Sequence, residues 1–168
     1  EREMTQQNTT PDGDLERDLF EKHFKRGIET QISITREYSF EMGHALMKHK
    51  GKCYNIHGHN YRLEVEIYAR DTNPITGMIM DFQELDDIVN PIIKKFDHKL
   101  YMNKLDNRIK LVQEAYGLEF EPTAENLVWM FYYQIDVEME KKYANEFPKV
   151  GRITLYETDK ASATVFST

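Results

Sequence analysis

Two stretches of two-residue alternation constrain this chain more than any other feature. From Ile32 onward, apolar Ile32, Ile34, Tyr38, Phe40 and Met42 alternate with polar Ser33, Thr35, Glu37, Ser39 and Glu41. A period of two marks a half-buried strand with one apolar face. A second strand is expected over about 57–70. There Tyr61, Leu63, Val65, Ile67 and Ala69 share one parity, and Asn60, Arg62, Glu64, Glu66 and Arg70 share the other. A loop separates the two strands, so they can close antiparallel. His44 extends the parity of Phe40 and Met42, while His57 and His59 open the second strand on the parity of Tyr61 and Leu63. Side chains two residues apart point to one face. Antiparallel pairing therefore brings three imidazoles to one end of the sheet, on its apolar side. Gly58 leaves the opposite face clear.

The rest of the chain reads in blocks. Residues 1–13 are polar and read as a flexible lead-in. Over 14–26 a short amphipathic helix is expected, with Asp14 as cap, Leu15, Leu19, Phe20 and Phe24 on one side and Gly27 as stop. Residues 1–30 are thus an extension and 31–168 the main domain. Asp81-Phe82-Gln83-Glu84 is a capping-box start for a helix through Leu85, Ile88, Val89, Ile92 and Ile93, with Pro91 placed to kink it. Pro122-Thr123 opens a second helix reaching about Ala144. Strands follow over 150–157 and 162–166, with a turn at Asp159-Lys160. Residues 99–121 are mixed in pattern and carry no assignment. Blocks of strands and helices argue an α+β fold: a four-stranded antiparallel sheet with two helices on one face.

Composition narrows the function. The 168 residues are one domain's length, with 40% apolar, 30% charged and 12% aromatic residues. The net charge of −7 argues against non-specific binding to nucleic acid or an acidic membrane. No apolar run approaches the ~18 residues of a membrane span. The N-terminal residues form no apolar signal core, so a reducing, cytoplasmic setting is the expectation. A single cysteine, Cys53, excludes an intrachain disulfide and a cysteine-rich zinc module.

Three of the six histidines fall in the expected cluster. Three imidazoles without a thiolate cluster are the ligand set of a catalytic zinc with one open position. Imidazole also suits copper, iron and nickel, and single histidines are usually ordinary core or surface residues. Cys53 lies in the connecting loop, open to three readings: a fourth ligand, a small buried residue or a reactive thiol. Lys48, His49, Lys50 and Lys52 surround it, and the span 45–56 has no acid. Nearby cations favour a thiolate. The same lysines suit either a solvated loop or a seat for an anionic group. Glu157 shares parity with Ile153 and Leu155, which aims a carboxylate into the apolar side. An unpaired buried carboxylate is costly, so Glu157 is a functional candidate or the partner of a nearby cation.

Cys53-Tyr54-Asn55-Ile56-His57-Gly58-His59 resembles the signature of the 6-pyruvoyl-tetrahydropterin synthase superfamily, and its three-residue gap resembles the 6-carboxytetrahydropterin synthase branch. Supporting segments are Tyr38-Ser-Phe-Glu-Met-Gly-His44, Gly77-Met-Ile-Met-Asp-Phe82, Phe96-Asp97-His98, Pro122-Thr123-Ala124-Glu125-Asn126 and Leu155-Tyr156-Glu157-Thr158. The resemblance implies a tunnelling fold (T-fold), in which sheets of neighbouring subunits join into a barrel. It also implies a homohexamer, a dimer of trimers with sites between subunits. It makes His44, His57 and His59 the ligands of Zn2+ and Cys53 the catalytic thiol. Asp97 and His98 become its proton-transfer partners, Glu157 the grip on a pterin ring, and Thr123 and Glu125 the rest of that pocket. The implied substrate is 7,8-dihydroneopterin triphosphate. The implied product is 6-carboxy-5,6,7,8-tetrahydropterin, a precursor of queuosine and related 7-deazaguanines; the alternatives are 6-pyruvoyl-tetrahydropterin or a non-catalytic zinc or pterin module. Asp97 and His98 are adjacent in sequence, and neighbours in an extended segment diverge, so their pairing needs a turn or a second subunit. Residues 100–121 are longer than in compact members, and Phe96 stands where leucine is more usual.

Overall fold

The computed structural model describes residues 31–144 and 146–167. The helix expected over 14–26 lies outside them. The elements are β1 (Ile32–Ala45), β2 (His57–Ala69), α1 (Phe82–Ile93), β3 (Lys99–Asn103), β4 (Ala115–Leu118), α2 (Ala124–Tyr143), β5 (Lys149–Thr158) and β6 (Ala161–Phe166).

The alternating segments become the two longest strands. β1 and β2 pair antiparallel with Phe40 opposite Tyr61, Met42 opposite His59 and His44 opposite His57. β5 adds antiparallel to β2, and β6 to β5. The expectation of four antiparallel strands is corrected here. Among the described residues the sheet has six strands in the order β4-β3-β1-β2-β5-β6, and it is mixed. β3 runs parallel to β1, and β4 parallel to β3. Both extra strands lie in the unassigned segment 99–121. They are short, and Tyr101, Met102 and Asn103 are buried consecutively, so no alternation announces a strand. Parallel pairing also needs no hairpin turn that a sequence could display.

Both helices cover the apolar sheet face. Asp81 caps α1 by accepting the Gln83 N–H, and Glu84 accepts the Asp81 N–H in return, completing the capping box. Pro91 sits inside α1 near its end and does not stop it. α1 buries Leu85, Val89, Ile92 and Ile93. α2 is capped by Thr123, ends at left-handed Ala144, and buries Leu127, Val128, Phe131, Ile135 and Met139. Phe131 is fully enclosed, with ring centroids 5.6 Å from Phe40 and 5.1 Å from Phe96. Burying one such ring contributes about 1.5–3 kcal/mol. The opposite face is polar and carries Arg62–Glu37 and Arg152–Glu66 ion pairs. No helix among the described residues is long and apolar enough to cross a membrane.

This packing places the site. The start of α2 lies against the end of β1, so the backbone of Pro122 meets the side chain of His44.

Candidate active site

His44 is 1% exposed at the end of β1. Its Nδ1–H donates to the Pro122 carbonyl at 2.7 Å. The Nδ1–H of His57 donates to the Asn55 carbonyl at 2.8 Å. A carbonyl only accepts, so each Nδ1 carries a proton and both Nε2 atoms point inward. Those two Nε2 atoms are 3.1 Å apart. The Nε2 of His59 is buried and has no hydrogen-bond partner. One ligand atom from each of the three rings lies within 4.8 Å of the others. Gly58 belongs to this arrangement, because a Cβ there would lie 3.0 Å from the Met42 carbonyl oxygen.

Burial holds both His44 and His59 below the ordinary imidazole pKa; the Pro122 carbonyl only partly offsets this at His44, and Glu157 only partly at His59. When the three rings are neutral their converging lone pairs repel one another, and a cation between them relieves that repulsion. A tetrahedral ion with bonds of about 2.0–2.1 Å separates neighbouring nitrogens by roughly 3.3 Å, close to the His44–His57 spacing. The three histidines can therefore hold a metal ion, and the donor set fits zinc.

Glu157 borders this cluster. Its Oε1 lies 3.5 Å from His44 Nε2 and 3.7 Å from His59 Nε2. Tyr61, 1% exposed, donates its hydroxyl to the same oxygen at 3.4 Å. Burial, then the Glu157 charge, drives the Tyr61 pKa far above the ordinary phenol range, and Cys53 adds to the effect. Tyr61 therefore stays a neutral donor. Its parity with His57 and His59 was legible in the sequence, but that pattern marks it only as core.

Cys53 is half-buried in a short 3-10 turn, Lys52–Tyr54, and its carbonyl accepts the Leu46 N–H at 2.9 Å. Lys48, Lys50 and Lys52 are exposed around it. Asp97 and His98 are joined to each other, with Asp97 Oδ1 2.9 Å from His98 Nδ1. The turn this pairing requires is present, because His98 adopts φ 57, the left-handed region. Asp97 also accepts the Glu41 N–H, and His98 Nε2 lies 3.3 Å from the Glu41 carboxylate. Among the described residues no hydrogen bond or ion pair joins Cys53 to Asp97 or His98. An open cleft of about 690 Å³ at this end of the sheet is lined by His59, Glu157, Gly58, Asn60, Glu41 and His98. Thr123 spends its hydroxyl on capping α2 at the Asn126 N–H, and Glu125 is exposed in the first turn of that helix. Neither hydrogen-bonds a histidine of the cluster or Glu157.

The family model of 6-pyruvoyl tetrahydropterin synthase matches residues 33–167, nearly the whole described chain. The chain belongs to this family. A 6-carboxy-5,6,7,8-tetrahydropterin synthase from Rickettsia bellii is 33% identical over 134 residues, covering 76% of this chain and 94% of the relative. One of the same name from Haemophilus influenzae is 33% identical over 138 residues, covering 76% and 93%. The chain is accordingly a lyase-type enzyme of the 6-pyruvoyl tetrahydropterin synthase family. Among solved structures, an uncharacterized protein from Wolinella succinogenes superposes with a TM-score of 0.71 at 17% identity, covering 83% of this chain and 99% of that one. The 6-pyruvoyl tetrahydropterin synthase of Caenorhabditis elegans superposes with a TM-score of 0.61 at 21% identity, covering 83% and 97%. At those identities the likeness concerns the fold.

Proposed function

We propose that the chain is a zinc-dependent 6-carboxy-5,6,7,8-tetrahydropterin synthase. It converts 7,8-dihydroneopterin triphosphate to the carboxy product, releasing acetaldehyde and triphosphate, in the supply of queuosine and related 7-deazaguanines. The observation that carries this reading is the meeting of three inward-facing histidine nitrogens with the Glu157 carboxylate at one sheet end. The carboxy synthase names of the Rickettsia and Haemophilus relatives support it further.

Zinc held by His44, His57 and His59 supplies a Lewis acid for the hydroxyls of the substrate side chain. Glu157 accepts two N–H groups from the edge of the pterin ring, as carboxylates do with guanidinium groups. Tyr61 holds one Glu157 oxygen by donating to it, which fixes the carboxylate's orientation. The Cys53 thiolate takes a proton from the side chain. The Asp97–His98 pair, engaged with Glu41 in its own chain, returns a proton from a second copy of the chain across a subunit boundary. Thr123 and Glu125 line the far side of the pterin pocket. Such an assembly is the homohexamer of barrel-forming sheets, whose closure hides the edges at β4 and β6.

The test is incubation of wild-type and Cys53→Ala protein with 7,8-dihydroneopterin triphosphate, with products identified by mass. Carboxy product from the wild type alone is the expected result. Pyruvoyl product would replace the proposal with 6-pyruvoyl-tetrahydropterin synthesis. Absence of turnover by zinc-loaded protein would leave a non-catalytic zinc or pterin module.

A further inference from the structure

The loop carrying Cys53 has almost no hydrophobic anchor. Its 3-10 turn buries no residue, and Lys48, Lys50, Lys52, Tyr54 and Ile56 are all exposed. A segment with so little buried apolar area opens easily unless polar contacts hold it. Those contacts come from the segment between β3 and α2. Upstream of Cys53, the Met47 N–H donates to Glu121 Oε2 at 3.0 Å. Downstream, Arg108 donates through Nη1 to the Tyr54 carbonyl, and its guanidinium lies 3.9 Å from the centre of the Tyr54 ring.

Arg108 is itself fixed. Its Nε donates to Asp106 Oδ1 at 2.9 Å and its Nη2 to Oδ2 at 2.5 Å, a two-point pairing with a carboxylate that is 4% exposed. Glu121 keeps its second oxygen, Oε1, buried without a hydrogen-bond partner, and its charge lies near enough to Arg108 to help raise that guanidinium's pKa. A carboxylate held at that cost has a task, and its visible one is the Met47 amide.

We infer that Arg108 and Glu121, with Asp106 behind Arg108, are positioning residues that clamp the Cys53 loop on both sides of the thiol. The part of this that concerns turnover rests on the proposed function. The clamp itself does not. It gives part of the long 99–121 segment a purpose: while β3 buries Tyr101 and Met102, Arg108 and Glu121 reach the loop. The planar fork of Arg108 serves the Tyr54 carbonyl, the Tyr54 ring and Asp106 at once, which a lysine cannot do.

The test uses the full, zinc-loaded protein with Arg108→Ala, Arg108→Lys, Glu121→Ala and Glu121→Gln variants. Amide hydrogen exchange over 46–56 is expected to quicken about tenfold or more in both alanine variants, while β2 and β5 exchange as in wild type. With 7,8-dihydroneopterin triphosphate, kcat falls by a similar factor, KM stays within about twofold, and zinc content is unchanged. Glu121→Gln keeps an acceptor for the Met47 amide and recovers most of the loss, whereas Arg108→Lys does not. Unchanged loop exchange, or equal loosening of loop and core strands, would overturn the clamp. A wild type without turnover would instead overturn the functional reading, and the exchange data alone would then decide the clamp.

Discussion

The Nε2 atoms of His44 and His57 face each other across the β1–β2 ladder at 3.1 Å, while both Nδ1 atoms donate to backbone carbonyls. With both rings neutral, two lone pairs at that distance repel each other. The register that pairs His44 with His57 enforces that repulsion, and a cation relieves it.

Metal content follows from that geometry. Wild-type protein is expected to bind about one zinc per chain, and His57→Ala to bind at least ten-fold less, while its circular dichroism stays native. His57 is the better position to change, because fully buried His44 also anchors Pro122. Retention of zinc by His57→Ala, measured by elemental analysis, would remove the ligand assignment.

Chelation should also lower thermal stability. A ligand present at about 100 times its dissociation constant stabilises the native state by about 2.7 kcal/mol. For a chain of this size that corresponds to roughly 5–10 °C in Tm. Melting curves with and without chelator read this directly, and coincident curves would mean that the site holds no ion in solution.

Glu157 separates recognition from metal binding. Glu157→Gln keeps the shape but loses the charge that strengthens hydrogen bonds from the pterin edge. Hydrogen bonds to a charged group are worth about 1.5–3 kcal/mol, so pterin affinity should weaken by about 10–100-fold. Zinc content should not change. Fluorescence titration with a pterin measures the first and elemental analysis the second; unaltered pterin affinity would count against the role assigned to Glu157.

Asp106 makes stability depend on pH in a stated direction. Hydrogen bonds from Arg108 hold its carboxyl below the ordinary aspartate pKa. Its stabilisation is complete above the unfolded-state value near 4 and is lost as pH falls through the lower folded value. Urea midpoints of wild type and Asp106→Asn should therefore differ at pH 7 and converge as the pH drops below about 4. A gap that stays constant over that range would show that the ion pair contributes nothing to stability.

The aromatic core gives a test of the packing. Phe131→Ala removes a ring wedged between Phe40 and Phe96 and should cost about 3–5 kcal/mol in urea unfolding. A cost near 1 kcal/mol would mean that the site collapses around the cavity.

Much of the site was legible along the chain because strand geometry repeats every two residues. Parity alone placed His44, His57, His59 and Glu157 on the apolar side, and antiparallel closure alone brought the three rings to one end. The capping box of α1 and the Thr123 cap of α2 were equally local, written in Asp81, Glu84 and Thr123. What tertiary structure decided lies where local pattern carries no such period. β3 joins the sheet by pairing parallel with β1, whose residues lie more than fifty positions away, and β4 then adds parallel to β3 at the sheet edge. The Asp97–His98 pair forms only because His98 takes a left-handed φ that adjacency cannot announce. Tyr61 donates to Glu157, and Arg108 and Glu121 reach the Cys53 loop, through contacts made only once the sheet and α2 are packed. Repeating backbone geometry can be read from one dimension; the meeting of side chains distant in sequence exists only after the chain has closed on itself.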